Sequence, residues 1–170
     1  GIAPNKAGYG VLLEDVIQVD ADDIEVMSLE MERHSGRLAA VIAEPVQGAG
    51  GVFPADDEYL RSLRRLCDRH GAYLIFDEVI TGFGRLGEWF GASHYGVTPD
   101  MICFAKAVTS GYQPLGGVVC GRAVTAPLES DPDFFLRHGY TYSGHASVCA
   151  AALKNMDIIR DEGQIGRAHV

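Results

Sequence analysis

Unbroken apolar runs alternate along this chain with stretches in which apolar residues recur every third or fourth position. The first run, Arg37 to Glu44 (RLAAVIAE), ends at Pro45, which cannot donate into a strand ladder. A loop from Gln47 to Gly51 follows, with glycine at three of its five positions. Beyond Asp56 and Asp57, either of which can cap a helix, Leu60, Leu63, Leu66 and Cys67 recur at helical spacing, and His70-Gly71 supplies a stop. Ala72 to Phe76 (AYLIF) is the next buried strand and breaks abruptly at Asp77-Glu78. A glycine-rich loop from Thr81 to Gly91 carries Arg85 and the only tryptophan, Trp89. Pro99-Asp100 opens a third strand, Met101 to Ala105 (MICFA), ending in Lys106; Gly116 to Gly121 makes a fourth. From Gly144 to about Arg160, alanines with Val148, Leu153, Met156 and Ile159 predict a closing helix. Strands alternating with helical stretches predict an α/β fold with a mostly parallel sheet and crossover helices. No linker or internal repeat divides the chain.

Composition narrows the classes of function. With 170 residues, 47% hydrophobic and 22% charged, the chain has material for one substantial core. No apolar run approaches the roughly 18 residues that cross a bilayer, so no membrane span is expected. Lysines and arginines number 14 against 23 aspartates and glutamates, a net charge of −9 with no basic cluster, which disfavours nucleic acid as a partner. Cys67, Cys103, Cys120 and Cys149 lie far apart without metal-ligand spacing. We read them as reduced thiols in a cytoplasmic protein and expect no metal.

Candidate chemistry centres on the ends of two strands. Lys106 is one of only three lysines, and five apolar residues precede it. Desolvation disfavours an ammonium and leaves a free amine that can form a Schiff base with an aldehyde. The plainer alternative is a lysine whose head snorkels to solvent at the sheet edge. Asp77 would stand at the same end of a neighbouring strand, where open α/β sheets bind ligands. A lysine for an imine and a carboxylate facing a ring nitrogen are the two groups an aldehyde cofactor with a pyridine ring needs. A salt bridge to Arg85 or Arg122 is the alternative for Asp77. For Glu78 a solvent-facing charge is the preferred reading.

These residues carry a resemblance. Glu44-Pro45-Val46-Gln47 with Gly48, Asp77-Glu78-Val79 with Thr81-Gly82-Phe83-Gly84-Arg85, Ala105-Lys106 with Ser110-Gly111-Tyr112 and Pro114-Leu115-Gly116, and Thr141-Tyr142-Ser143-Gly144-His145 stand in the order seen in class III aminotransferases. That family is pyridoxal-phosphate-dependent and has fold type I. The resemblance implies that residues 1–164 are a piece of the large domain binding pyridoxal 5′-phosphate. It implies that Lys106 forms the imine with the cofactor and shuttles the substrate proton, that Asp77 holds the ring nitrogen, and that Val79 packs on the ring. Thr141, with the backbone near Tyr140, would reach the phosphate bound mainly by the other subunit of a homodimer. Read alone, Thr141 could equally be a helix-entry cap.

Two positions place the resemblance within the family. Members using 2-oxoglutarate commonly carry Glu where this chain has Ala49 and Gln where it has Ile80. The pattern is closer to the omega, amine:pyruvate branch, so the expected partners are an amine donor and a keto-acid acceptor, pyruvate preferred. Ala146 also stands where Pro is frequent. An aminomutase or a decarboxylase of the same family is the alternative. Gly1 in place of Met leads us to expect an internal fragment, which by itself is expected neither to dimerise, nor to retain cofactor, nor to catalyse. Residues 165–170 resemble a translated sequencing adapter and are set aside from fold reasoning.

Overall fold

The computed structural model describes residues 6–166. Residues 167–170, most of the segment set aside above, lie outside that range. Asp23 accepts a hydrogen bond from Val26 N (3.0 Å) and starts helix α1 (Ile24–Arg33). Strand β1 (Ala40–Ala43) stops short of Pro45, and the predicted glycine loop is the turn of a small antiparallel hairpin, β2 (Val46–Gln47) with β3 (Phe53–Pro54). Gly51 in that turn has φ +127°, and a Cβ there would collide with the Phe53 ring. Helix α2 (Asp57–His70) is capped by Asp56, which accepts from Glu58 N (2.8 Å) and Tyr59 N (3.2 Å), and it ends on the left-handed Gly71.

The main sheet runs in the order β1, β4 (Tyr73–Asp77), β5 (Met101–Ala105), β6 (Gly116–Cys120). The first three strands are parallel, as the sequence predicts, whereas β6 runs antiparallel to β5. Residues 106–115 between them are too few for a crossover of a dozen or more, so the chain must return beside the strand it left. Short helix α3 (Gly91–Tyr95) precedes β5, α4 (Arg122–Glu129) follows β6, and α5 (Ala146–Asp161) closes the chain. None of the helices among the described residues is long and apolar enough to cross a membrane.

Strand alternation gives the sheet two unlike faces. Val41, Leu74 and Phe76 point to one side and are buried with Leu60, Leu63, Leu66 and Cys67 of α2 and Met31 of α1. Burying each such side chain contributes about 1.5–3 kcal/mol. The opposite side carries Ile42, Tyr73, Ile75, Asp77, Met101, Cys103 and Val118 by register, and there Ile42 is 64% exposed and Val118 54%. Asp77 thus lies on the open face.

Candidate functional site

The carboxyl ends of β4 and β5 bring the two leading sequence candidates together. Asp77 is in register with Cys103, so Lys106 follows three residues farther along the neighbouring parallel strand, about 10 Å at strand rise. Glu78 N donates to Cys103 O (2.9 Å), continuing the ladder past Asp77 and fixing the two ends against each other. Asp77 is half-buried and its Oδ1 accepts from Val79 N (3.1 Å). No salt bridge reaches it among the described residues. Arg122 pairs with Glu129 (3.2 Å), so that alternative for Asp77 is not realised.

Lys106 differs from its expected surroundings. The preceding strand residues are each only half-buried and Lys106 itself is exposed, so five apolar neighbours do not desolvate its head. Its backbone is the unusual feature. Lys106 has φ +50° and opens a single 3-10 turn (Lys106–Thr109), which ends on Ser110 at φ +49°. A left-handed non-glycine residue costs about 1–2 kcal/mol, and such strain persists where the surroundings over-determine it, commonly at functional sites. Among the described non-glycine residues only Asp22 and Phe83 share this conformation with Lys106 and Ser110, and Phe83 lies in the loop beside the site.

The loop after β4 is held from both ends. Glu78, expected at the solvent, is instead fully buried. Its carboxylate accepts from Thr81 Oγ1 (2.8 Å), Ala92 N (2.8 Å) and Gly91 N, satisfying the start of α3. Burial without a cation is tolerable because both oxygens are hydrogen-bonded. A Cβ on Gly91 would sit 3.0 Å from Glu78 Oε2 and 3.3 Å from Pro45 Cβ, so glycine lets the strand end, hairpin and helix converge. Phe83 packs edge-on against Phe90 (5.3 Å) and Phe104 (5.8 Å), seating the loop on β5. Sequence reasoning missed Glu78 as a latch, since its backbone partners lie 13 and 14 residues away.

Nearby, Glu44 Oε2 accepts from Gly48 N (3.0 Å), and Ile80 packs so closely on Gly48 that a Cβ would fall 2.8 Å from Ile80 Cγ1. Ala49 is exposed. Tyr140 and Thr141 stand on an exposed loop where Ser143 N donates to Tyr140 O (2.9 Å). His145, not Thr141, occupies the cap position of α5. A cavity of about 350 Å³ lined by Phe83, Arg85, Ala107, Ser110, Ile159 and Ile165 lies beside the lysine turn and includes neither Lys106 nor Asp77.

The donor set at the strand ends fits a group with an aldehyde and a basic ring nitrogen. It offers one accessible primary amine and one carboxylate whose second oxygen has no partner among the described residues. Residues 8–169 match the family described as aminotransferase class-III. The chain is 45% identical over 142 residues to the putrescine–pyruvate aminotransferase of Pseudomonas aeruginosa, covering 84% of this chain and 30% of that protein. It is 46% identical over 133 residues to the diaminobutyrate–2-oxoglutarate transaminase of Halomonas elongata, covering 77% and 28%. An amine transaminase from an uncultivated Pseudomonas species, solved in its PLP-bound form, superposes with a TM-score of 0.80 at 45% identity, covering 84% of this chain and 33% of that one. The chain spans about a third of the length of the curated relatives it matches. Its sheet, parallel but for β6, is the fold type I arrangement, and the chain belongs to the class-III aminotransferase family.

Proposed function

We propose that the protein containing this chain transfers an amino group from an amine or amino acid to a keto acid, pyruvate preferred, with pyridoxal 5′-phosphate held between Lys106 and Asp77. The observation that carries this reading is the placement of an accessible lysine, and of a carboxylate with no cation among the described residues, at the same ends of adjacent parallel strands. When bound, the cofactor supplies an aldehyde that captures amines and a ring that accepts electrons from the deprotonated donor carbon. Lys106 Nζ would hold that aldehyde and, as a free amine, would carry the proton between the donor carbon and the cofactor. Asp77 would hold the protonated ring nitrogen with the oxygen that Val79 N does not use. Val79 would pack against the ring. The Thr141 hydroxyl and the Tyr140 backbone, exposed on the loop before α5, would reach a phosphate held mainly by the other subunit, which makes a homodimer part of the proposal.

Pyruvate preference rests on Ala49 and Ile80, which place neither a carboxylate nor an amide where 2-oxoglutarate-using members commonly have them. All four cysteines are free, which suits a reducing compartment, and we place the protein in the cytoplasm. Adding an amine and then pyruvate to the whole protein tests the activity. Absorbance should pass from the aldehyde to the amine form of the cofactor and back, and release of carbon dioxide without amino transfer would overturn it. In steady state, a higher kcat/KM for 2-oxoglutarate than for pyruvate would overturn the acceptor assignment alone.

A further inference from the structure

One polar side chain holds the lysine turn from behind. Helix α5 presents Val148, Ala152, Asn155 and Ile159 on one stripe, and the three apolar members are buried. Asn155 interrupts the stripe where α5 meets the turn that Lys106 opens. Its Nδ2 donates to Ala107 O (2.9 Å) and Val108 O (3.1 Å), and its Oδ1 accepts from Ser110 Oγ (2.7 Å). Only this orientation of the carboxamide puts donors on two carbonyls and the acceptor on a hydroxyl. Both amide hydrogens are therefore committed to the backbone directly after the lysine.

We propose that Asn155 is a positioning residue for Lys106, its carboxamide fixing the strained turn and so the direction in which the lysine amine projects. The inference rests on the reading of Lys106 as the imine-forming residue. Lys106 and Ser110 both hold left-handed conformations that a free chain would leave, and strained backbone needs neighbours that forbid its relaxation. Within the turn, Ser110 N donates to Ala107 O (3.1 Å) and Thr109 Oγ1 to Gln113 O (2.5 Å), but neither bond ties the turn to another element. Asn155 does. Without its two donors the turn relaxes toward right-handed values, and rotation about the Lys106 backbone redirects a long side chain.

Asn155→Asp tests this in the whole protein, because it is nearly isosteric, loses both donors and keeps an acceptor for Ser110. Asn155→Ala is the second variant, read in the same way should the first not fold, and Lys154→Ala on the exposed side of α5 is the control. Without cofactor, hydrogen exchange over residues 106–110 should accelerate in both Asn155 variants while β5 stays protected. With cofactor, the pH at which the visible band of the lysine-bound form changes should shift. Turnover should fall by about 10²-fold, the cost of an ångström-scale misplacement, with KM for the amine near its wild-type value. The wild-type band, absent in Lys106→Ala, tests the functional reading separately. A folded Asn155→Asp protein with wild-type exchange, band midpoint and kcat would overturn the proposal, as would an equal loss in Lys154→Ala.

Discussion

Two aspartates stand at opposite ends of the adjacent parallel strands β4 and β5 and live in opposite electrostatic surroundings. Asp100, at the start of β5, pairs with Arg64 (2.8 Å) and accepts from Leu74 N (2.7 Å), while its carbonyl accepts from Gly121 N (2.8 Å). Arg64 also reaches Asp68 (2.6 Å), and these two carboxylates push its guanidinium pKa up against the opposing effect of burial. Asp77, at the end of β4, has a single donor and no cation among the described residues. One end is cross-linked by charge and backbone bonds into a joint. The other leaves a carboxylate and an amine with spare capacity, beside a backbone under strain. A carboxylate left unpaired at the mouth of a parallel sheet invites a ligand, whereas one tied to arginine and two strands holds the fold together.

Lys106→Ala should produce the largest effect at the functional end. Turnover in the whole protein falls by about 10²–10⁴-fold or more, the value of one proton-transfer group, while the unfolding temperature hardly changes. Activity within a tenth of wild type would dissolve the contrast between the ends. Asp100→Ala probes the joint. It leaves Arg64 and Leu74 N short of a partner and should cost about 1–3 kcal/mol of stability in denaturant unfolding.

Cys67 belongs to that same end and sharpens the comparison with pH. Burial pushes its thiol up from 9.0 to about 11, with Asp100 and Asp68 adding to the rise and Arg64 opposing it. Because the folded value lies above the unfolded one, this contribution is intact below pH 9.0 and is lost as pH rises toward 11. The loss is on the order of 2 kcal/mol, and stability curves of Cys67→Ala should lack that part of the alkaline slope. Asp77→Asn should show the smallest effect on folding, within about 0.5 kcal/mol, since no ion pair is broken. Its cost appears in function, as faster loss of cofactor on dialysis and slower proton abstraction in single turnovers. A full cofactor complement with normal rates would return Asp77 to a structural role.

Much of this architecture is legible in the chain because local signals and long-range packing agree. The Met101–Ala105 strand lies where its apolar run begins and ends, and α2 follows from Asp56, its leucine spacing and Gly71. Helix α1 carries no unbroken apolar run, and only its Asp23 cap and the Met27 and Met31 stripe mark it. Helix α4 gives no such signal, with Pro127 inside it and no buried residue. The hairpin strands, two residues each, are too short for periodicity to show. Leu153, expected on the packed side of α5, is 61% exposed, and the true stripe passes through Ala152 and Asn155. An asparagine within an apolar stripe was the visible sign of a polar contact, but its partners are set by tertiary placement. The same holds for Glu78, whose burial depends on backbone N–H groups that only the folded loop delivers.

The central claim is that Lys106 is the amine that holds the cofactor. Reducing the whole protein with borohydride in the presence of pyridoxal 5′-phosphate, then digesting it and locating the pyridoxyl label by mass spectrometry, tests that directly. The label should fall on the peptide containing Lys106 and be lost in Lys106→Ala. Label on Lys6, Lys154 or a lysine elsewhere in the protein, with none on Lys106, would contradict it.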